Sequence, residues 1–175
     1  MHGAKKPTLF LKLDIAKAFD TVRWDYLHEV MQQMGFGPRW RAWVTTLLAT
    51  TSSSVLLNGV RGKWFRHKTG LRQGDPLSPM LFILAMEPLQ LMLKKATDEG
   101  LLTPICNRHA KLRISLFADD AAIFVNPTTE EVQVVDNILK AFGSATGLIT
   151  NKLWSIQFAV RGWTYSTSWS HSDAQ

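Results

Sequence analysis

The sequence predicts an α+β fold: an antiparallel sheet with helices packed on it. Three observations predict it. Apolar runs suited to strands occur near the start of the chain, in "TLFLKLDIA" (Thr8 to Ala16), and in its second half, in "LRISLFADDAAIFV" (Leu112 to Val125). Between and after them, apolar residues recur at near-helical spacing, and the two kinds of segment mix without the regular alternation of a parallel sheet. Finally, 175 residues with 46% hydrophobic and 19% charged content suit about one globular domain rather than a disordered chain.

The first run reads as a strand whose only charges are Lys12 and Asp14. "TVRWDYLHEVMQQMG" then predicts a helix, with Val22, Tyr26, Val30 and Met34 on one side and Gly35 as its stop. A turn at Gly37 leads to a second helix that opens on Pro38, a tolerated first-turn position. "SSVLLNG" and "GKWFRHKTG" predict two short strands joined around Asn58 to Gly62, with Asn-Gly as the hairpin signal. In "GLRQGDPLSPMLFILAMEPLQLMLKKATDEG", Ser78 is the expected N-cap and Pro79 the expected first residue of a long helix. That helix is apolar nearly all round and so reads as interior, with Met31, Met34, Met80, Met86 and Met92 as core filler. Pro88 is expected to kink or divide it. An irregular stretch from Leu101 to Ala110, a strand, turn and strand, a helix from Thr128 to Ala145 and a turn at Gly147 complete the pattern. From Arg161 the tail shows no periodicity.

The net charge of +6, with a sequence pI near 9.7, is compatible with a polyanionic partner. Its distribution is uneven: residues 1–113 hold 17 Lys/Arg against 8 Asp/Glu, and residues 114–175 hold 3 against 6. Arg61, Lys63, Arg66, Lys68 and Arg72 fall among Trp64, Phe65 and His67 without one acid. Cations interleaved with rings suit a phosphate backbone with stacked bases, although a solvated hairpin face has the same composition. Cys106 stands alone, which provides neither a disulfide framework nor a cysteine zinc site and fits a reducing, intracellular compartment. The N-terminus lacks the apolar core of a secretory signal. The apolar stretch Leu77 to Leu93, broken by Glu87, Gln90 and two prolines, is too short to span a bilayer.

The adjacent acids Asp119 and Asp120 sit in the middle of strand-forming sequence, where Asp is depleted. A hairpin turn alone accounts for such a pair. Asp14 also follows an apolar strand, so the sheet is expected to gather three acids at one edge. Two unit charges ~4 Å apart interact by about 4 kcal/mol at an effective dielectric near 20, and a divalent cation removes that conflict. All-oxygen ligation is the preference of Mg²⁺, and no His or Cys pattern nearby offers zinc a rival site. Adjacent acids on one turn are poorly placed to flank a glycosidic bond from opposite sides.

In their order and separation, "LKLDIAKAFDTV", "GLRQGDPLSPMLF" and "SLFADDAAIF" resemble the palm motifs of reverse transcriptases. The likeness is greatest to non-LTR (LINE-type) retrotransposon enzymes, particularly those of plants, and covers residues 8–155. A weaker likeness extends to other right-hand palm polymerases such as intron-encoded maturases. The resemblance implies a right-hand polymerase palm that acts as an RNA-directed DNA polymerase, with RNA template, DNA primer and dNTP as partners. It implies that Asp14, Asp119 and Asp120 hold two Mg²⁺ ions, with the carbonyl of Ile15 as a further ligand. Phe19 matches an aromatic gate against the ribose 2′-hydroxyl. Gln73 and Gly74 match a pair beside the nascent base pair. Arg61, Lys63, Arg66, Lys68 and Arg72 then become contacts to primer or template.

The chain departs from the family pattern in two places. Only thirteen residues precede Asp14, where a fingers region would grip the triphosphate, and Trp154 stands where a Lys is usual, with Lys152 two positions early. Beyond Phe158 the likeness fades. The expected organisation is a partial reverse transcriptase domain over 1–160, a palm with a remnant of fingers, and an irregular tail over 161–175, with fingers and thumb largely missing. Such a truncation is expected to impair nucleotidyl transfer. The alternative is an inactive retrotransposon remnant that binds nucleic acid at most nonspecifically. Retrotransposon ancestry implies nucleus or cytoplasm, without a membrane.

Overall fold

Strand β1 (Thr8–Ala16) sets the frame because its side chains alternate. Leu9, Leu11, Leu13 and Ile15 are buried, whereas Lys12 and Asp14 are exposed. The computed structural model describes residues 8–105, 113–117, 120–160 and 163–170, with the backbone alone at 16, 117, 120 and from 149 onward. Within it, β1 is the centre of a five-stranded sheet with β4 (Ile114–Phe117), β5 (Asp120–Val125), β6 (Ile149–Val160) and β7 (Trp163–Ser170). The order is β4-β5-β1-β6-β7, and every pair is antiparallel. Leu13, Leu11 and Leu9 stand opposite Ala121, Ile123 and Val125. One face of the sheet is therefore apolar across both strands.

Helices cover that face. α2 (Trp24–Gln33), α4 (Ser78–Asp98) and α5 (Thr129–Thr146) contribute Leu27, Met31, Phe82, Leu89, Val135 and Phe142 to one core with the β1 leucines. Each fully buried side chain of this size contributes about 1.5–3 kcal/mol. The other face carries Phe10 edge-on against Phe124 with centroids 5.6 Å apart, and beside them Lys12 and Asp14. Two further helices connect this layer to the rest: the single turn α1 (Ala18–Thr21), just after β1, and α3 (Pro38–Ala49). α3 leads into a separate hairpin, β2 (Ser52–Leu57) and β3 (Val60–Arg66).

A buried ion pair fixes the β4–β5 hairpin to α5. Arg113 Nη1 lies 3.4 Å from Glu131 Oε2, and both residues are buried. The Arg113 guanidinium also donates to Thr97 Oγ1 and to the Thr103 carbonyl, while Glu131 accepts from the Thr103 and Asn126 backbone amides and from the Asn126 side chain. Burial pushes the Glu131 carboxyl up, but a hydrogen bond from the Thr103 hydroxyl, together with those from the Asn126 side chain and the two backbone amides, outweighs it and holds the group below its ordinary value. Thr128 caps the same helix by accepting from the Glu131 amide.

Several expectations need correction. The helix expected from Thr21 is split at Val22 and Arg23 into α1 and α2. The hairpin turn is the two-residue Asn58-Gly59, both with positive φ (49° and 81°), so β3 starts at Val60, earlier than expected. Ser78 is not the cap of α4: Leu77 occupies that position, and Ser78 is the buried first helical residue. Pro88 does not divide α4, because Met86 and Leu89 on either side are buried in the core and their packing offsets the missing hydrogen bond. Nor is α4 wholly interior. Met80, Ile83 and Leu91 form an exposed stripe, and Met34 is exposed as well, so these methionines are not core filler. The tail read as irregular is strand β7 over Trp163–Ser170, paired with β6. Of the stretch from Leu101 to Ala110, residues 106–110 lie outside the described residues. Among the described residues, no helix is long and apolar enough to cross a membrane.

Candidate active site

The alternation that buries Leu13 and Ile15 leaves Asp14 on the open face, two residues before β1 ends. The register then places Asp14 directly opposite Asp120 of β5 on one side and Asn151 of β6 on the other. Positions paired in this way share a face of the sheet. Two of the three predicted acids thus meet at one place in the sheet, although they are 106 positions apart in the chain. Asp119 lies outside the described residues. Among the described residues no group of three or more His, Cys, Asp or Glu gathers to hold a metal. Opposed like charges destabilise a strand pair, and an oxygen-only donor set suits magnesium, so the residues present fit that ion. Ile15, the expected carbonyl ligand, has a buried side chain and pairs with Thr150. Lys152 stands opposite Leu13, one position away from the acid pair, and Trp154 opposite Leu11.

Between β1 and α1 the chain turns sharply at Lys17, which has a left-handed backbone (φ 52°, ψ 43°). Its carbonyl accepts from the Asp20 and Thr21 amides at 2.8 and 3.2 Å. The turn delivers Phe19, half-buried, onto Phe82 of α4, with ring centroids 4.9 Å apart and planes inclined by 26°. One side of the ring therefore packs into the core. The backbone at Phe19 and Val22 is clasped by the loop before α4: Leu71 N–H donates to the Phe19 carbonyl and Gly70 N–H to the Val22 carbonyl. Trp24 Nε1 closes the clasp on the Gly70 carbonyl at 2.7 Å. At Gly70, φ is +85° and a β-carbon would lie 2.6 Å from the Asp20 carbonyl oxygen, so only glycine fits.

Gln73 and Gly74 follow on the same loop, both exposed. Gly74 has φ +87°, but a β-carbon there would meet nothing within 4 Å. Its glycine is demanded by the backbone turn, and the space over it is open. Asp75 organises the helix start in place of Ser78: its carboxylate accepts from Leu77 N–H at 2.9 Å and its carbonyl from Ser78 N–H at 3.1 Å.

The basic hairpin stands clear of the core. Every residue of β3 is exposed, including Arg61, Lys63 and Arg66, and so are Lys68 and Arg72 beyond it. The register shifts between Ser54 and Leu56 of β2, which face Trp64 and Arg61 of β3, so β3 carries one extra residue at Gly62–Lys63. In a regular strand Arg61 and Trp64, three apart, would lie on opposite faces. The bulge brings them to one face, with the guanidinium carbon 5.3 Å from the ring centroid.

Sequence reasoning missed the clasp at Gly70, the part of Asp75, and a contact at the foot of the hairpin. There His67 Nε2 lies 2.7 Å from Ser53 Oγ. The available signal for the clasp was the glycine that opens the recognised motif "GLRQGDPLSPMLF".

Comparison with known proteins gives a consistent picture. The family described as reverse transcriptase (RNA-dependent DNA polymerase) matches residues 1–155. A transposon TX1 uncharacterized 149 kDa protein of Xenopus laevis is 32% identical over 152 residues, which is 83% of this chain and 11% of that protein. A retrovirus-related Pol polyprotein from the type-2 retrotransposable element R2DM of Drosophila melanogaster is 30% identical over 161 residues, 92% of this chain and 15% of that one. This chain thus spans between 11% and 15% of the length of these two relatives. Among solved structures, telomerase from Candida tropicalis in complex with a fragment of telomeric RNA superposes with a TM-score of 0.61 at 13% identity. That superposition covers 97% of this chain and 31% of the telomerase chain, and it shows the likeness of fold.

Proposed function

This chain belongs to the reverse transcriptase (RNA-dependent DNA polymerase) family, and from that premise we propose that it is the palm core of an RNA-directed DNA polymerase of a non-LTR retrotransposon. The observation that carries the reading is the opposition of Asp14 and Asp120 across β1 and β5. With Asp119 and the Ile15 carbonyl they would hold two Mg²⁺ ions. Bound there, magnesium supplies charge neutralisation at the transferring phosphate and lowers the pKa of the attacking primer 3′-hydroxyl.

The chain's own residues orient the reactants. Asp14 and Asp120 are held by strand hydrogen bonding on rigid elements, which keeps their separation fixed. Phe19, braced by Phe82, presents an immobile ring beside the acid-bearing strand, and we assign it the exclusion of a ribose 2′-hydroxyl. The open space over Gly74 lets the nascent base pair approach the backbone, with Gln73 beside it. The exposed cations of the hairpin would follow the phosphates of primer or template.

Extension of a DNA primer on an RNA template in the presence of Mg²⁺ tests the proposal. Wild-type chain is expected to incorporate dNTP weakly, in keeping with the impaired transfer expected from its sequence, and Asp14→Asn or Asp119→Ala to reduce incorporation to background. Equal incorporation by wild type and both variants would remove the assigned site. Incorporation by neither wild type nor variants, with binding retained, would favour the remnant reading.

A further inference from the structure

We propose that the recess at the foot of the β2–β3 hairpin holds one unpaired nucleotide of a single strand that runs along β3. The recess encloses about 470 Å³, within the usual range for small-ligand sites. It lies between the start of β2, the residues after β3, and the loop that carries Gln73, and its floor is the Gly70 clasp onto α1. Because that floor is backbone hydrogen-bonded to Phe19 and Val22, and His67 N–H is bonded to the Thr51 carbonyl, the walls are formed before any ligand arrives.

The lining chemistry selects the ligand. Arg72 supplies one cation and Asp20 one carboxylate. One cation offset by one anion is a poor match for a triphosphate but suits a nucleotide that brings a single phosphate charge. The remaining groups read a base edge or sugar. In the Ser53–His67 pair, whichever tautomer the ring adopts, one hydrogen-bond donor stays available after the 2.7 Å contact is made. Gln73 offers donor and acceptor on one amide, and Asp20 can accept from an exocyclic amino group or a 2′-hydroxyl. Leading away from the recess, β3 exposes Arg61, Lys63 and Arg66 with Trp64, which supplies phosphate contacts and a stacking ring for neighbouring nucleotides. A base within a duplex has its edge occupied by its partner and cannot enter.

The proposal rests on the polymerase reading for the origin of the strand, a template, and the test separates the two. Short single-stranded RNA and DNA oligonucleotides of one sequence, and a blunt duplex, are added without Mg²⁺ or dNTP to the full chain, and binding is followed by fluorescence anisotropy. His67→Ala and Gln73→Ala are each expected to weaken single-strand binding by about three- to tenfold, the loss of one hydrogen bond, and to leave duplex binding unchanged. With Asp20→Asn, a larger loss for RNA than for DNA assigns the Asp20 contact to the 2′-hydroxyl, and an equal loss assigns it to the base. On the unaltered chain, the His67 ring proton resonances are expected to shift with single strand and stay in place with duplex. Wild-type affinity in both variants, or His67 resonances that ignore the single strand, overturns the proposal. A chain that binds through the recess yet extends no primer overturns the polymerase reading alone.

Discussion

Asp14 and Asp120 stand at directly opposed positions of neighbouring antiparallel strands, an arrangement that costs stability unless a cation occupies it. Asp14→Asn is therefore expected to raise the unfolding temperature in chelator by the equivalent of about 0.2–1 kcal/mol. In millimolar magnesium the order reverses, since wild type gains from ion binding and the variant does not. Thermal unfolding with and without the ion checks this. A magnesium-dependent shift of the same size in both chains would show that the acids do not share an ion.

The two glycines of the loop before α4 separate crowding from backbone strain. Gly70→Ala combines φ +85° with a β-carbon 2.6 Å from the Asp20 carbonyl, and is expected to destabilise by about 3 kcal/mol or more. Gly74→Ala has φ +87° in open space and is expected to cost about 1–2 kcal/mol, the left-handed penalty alone. Urea midpoints decide between them. Equal losses would mean that the clasp at Gly70 yields without resistance.

How much of this was legible in the sequence depends on the range of the interactions involved. The apolar run of β1 and the helix read from Thr128 to Ala145 rest on local signals, and the strand and α5 (Thr129–Thr146) lie within one residue of those expectations. The convergence of Asp14 with Asp120 was readable because both acids interrupt apolar strands that had to pair. Strand β7 was overlooked rather than hidden: in "WTYSTSWS" Trp163, Tyr165 and Trp169 fall at alternate positions, but the serines and threonines between them make the segment read as a tail, and its pairing with β6 identifies it as a strand. Similarly, Met80 and Ile83 look like core residues in sequence, because hydrophobicity does not say which side of a helix another element will cover. The cation–ring contact of Arg61 and Trp64 depends on a bulge, and a single extra residue in one strand carries no compositional mark beyond Gly62.

The Arg113–Glu131 pair anchors the hairpin that carries Asp120 at its turn end, so its loss should be felt in stability and in pH dependence. Removal of one partner leaves a buried charge uncompensated, and Glu131→Gln is expected to cost about 3 kcal/mol at neutral pH. The folded-state value of Glu131 lies below its ordinary 4.5. Its contribution is therefore complete above the unfolded value and is lost as pH falls through the lower folded one. Urea midpoints from pH 7 down to pH 3 should show the gap between wild type and variant closing in the acid range. A gap that stays constant would mean that the Glu131 charge is not what stabilises the hairpin.

Lys17 holds a left-handed backbone that non-glycine residues adopt at a cost of roughly 1–2 kcal/mol. Lys17→Gly relieves that cost, offset in part by the greater freedom of glycine in the unfolded chain. The expected outcome is a gain of up to about 1 kcal/mol in urea unfolding. A loss would show that the lysine side chain contributes more than its backbone costs.

The hairpin offers a test of binding that stability effects do not confound, because every residue of β3 is exposed and substitutions there are expected to change folding by no more than about 0.5 kcal/mol. Each phosphate contact contributes about 0.7 to the dependence of log affinity on log salt for a single strand. Replacement of Lys63 and Arg66 together by Ala should therefore reduce that slope by about 1.4. Lys140, paired 2.8 Å from Asp136 on α5, serves as the control and should leave the slope unchanged. Trp64→Ala should behave differently from either, with affinity lower by about 1–3 kcal/mol at every salt concentration and the slope nearly constant, because stacking releases no counterions. Deletion of Gly62 would remove the bulge and send Arg61 to the face opposite Trp64, and it should reproduce part of the Trp64→Ala loss with the ring still present. Equal slopes in wild type and the Lys63/Arg66 double variant would mean that the strand takes another path across the protein.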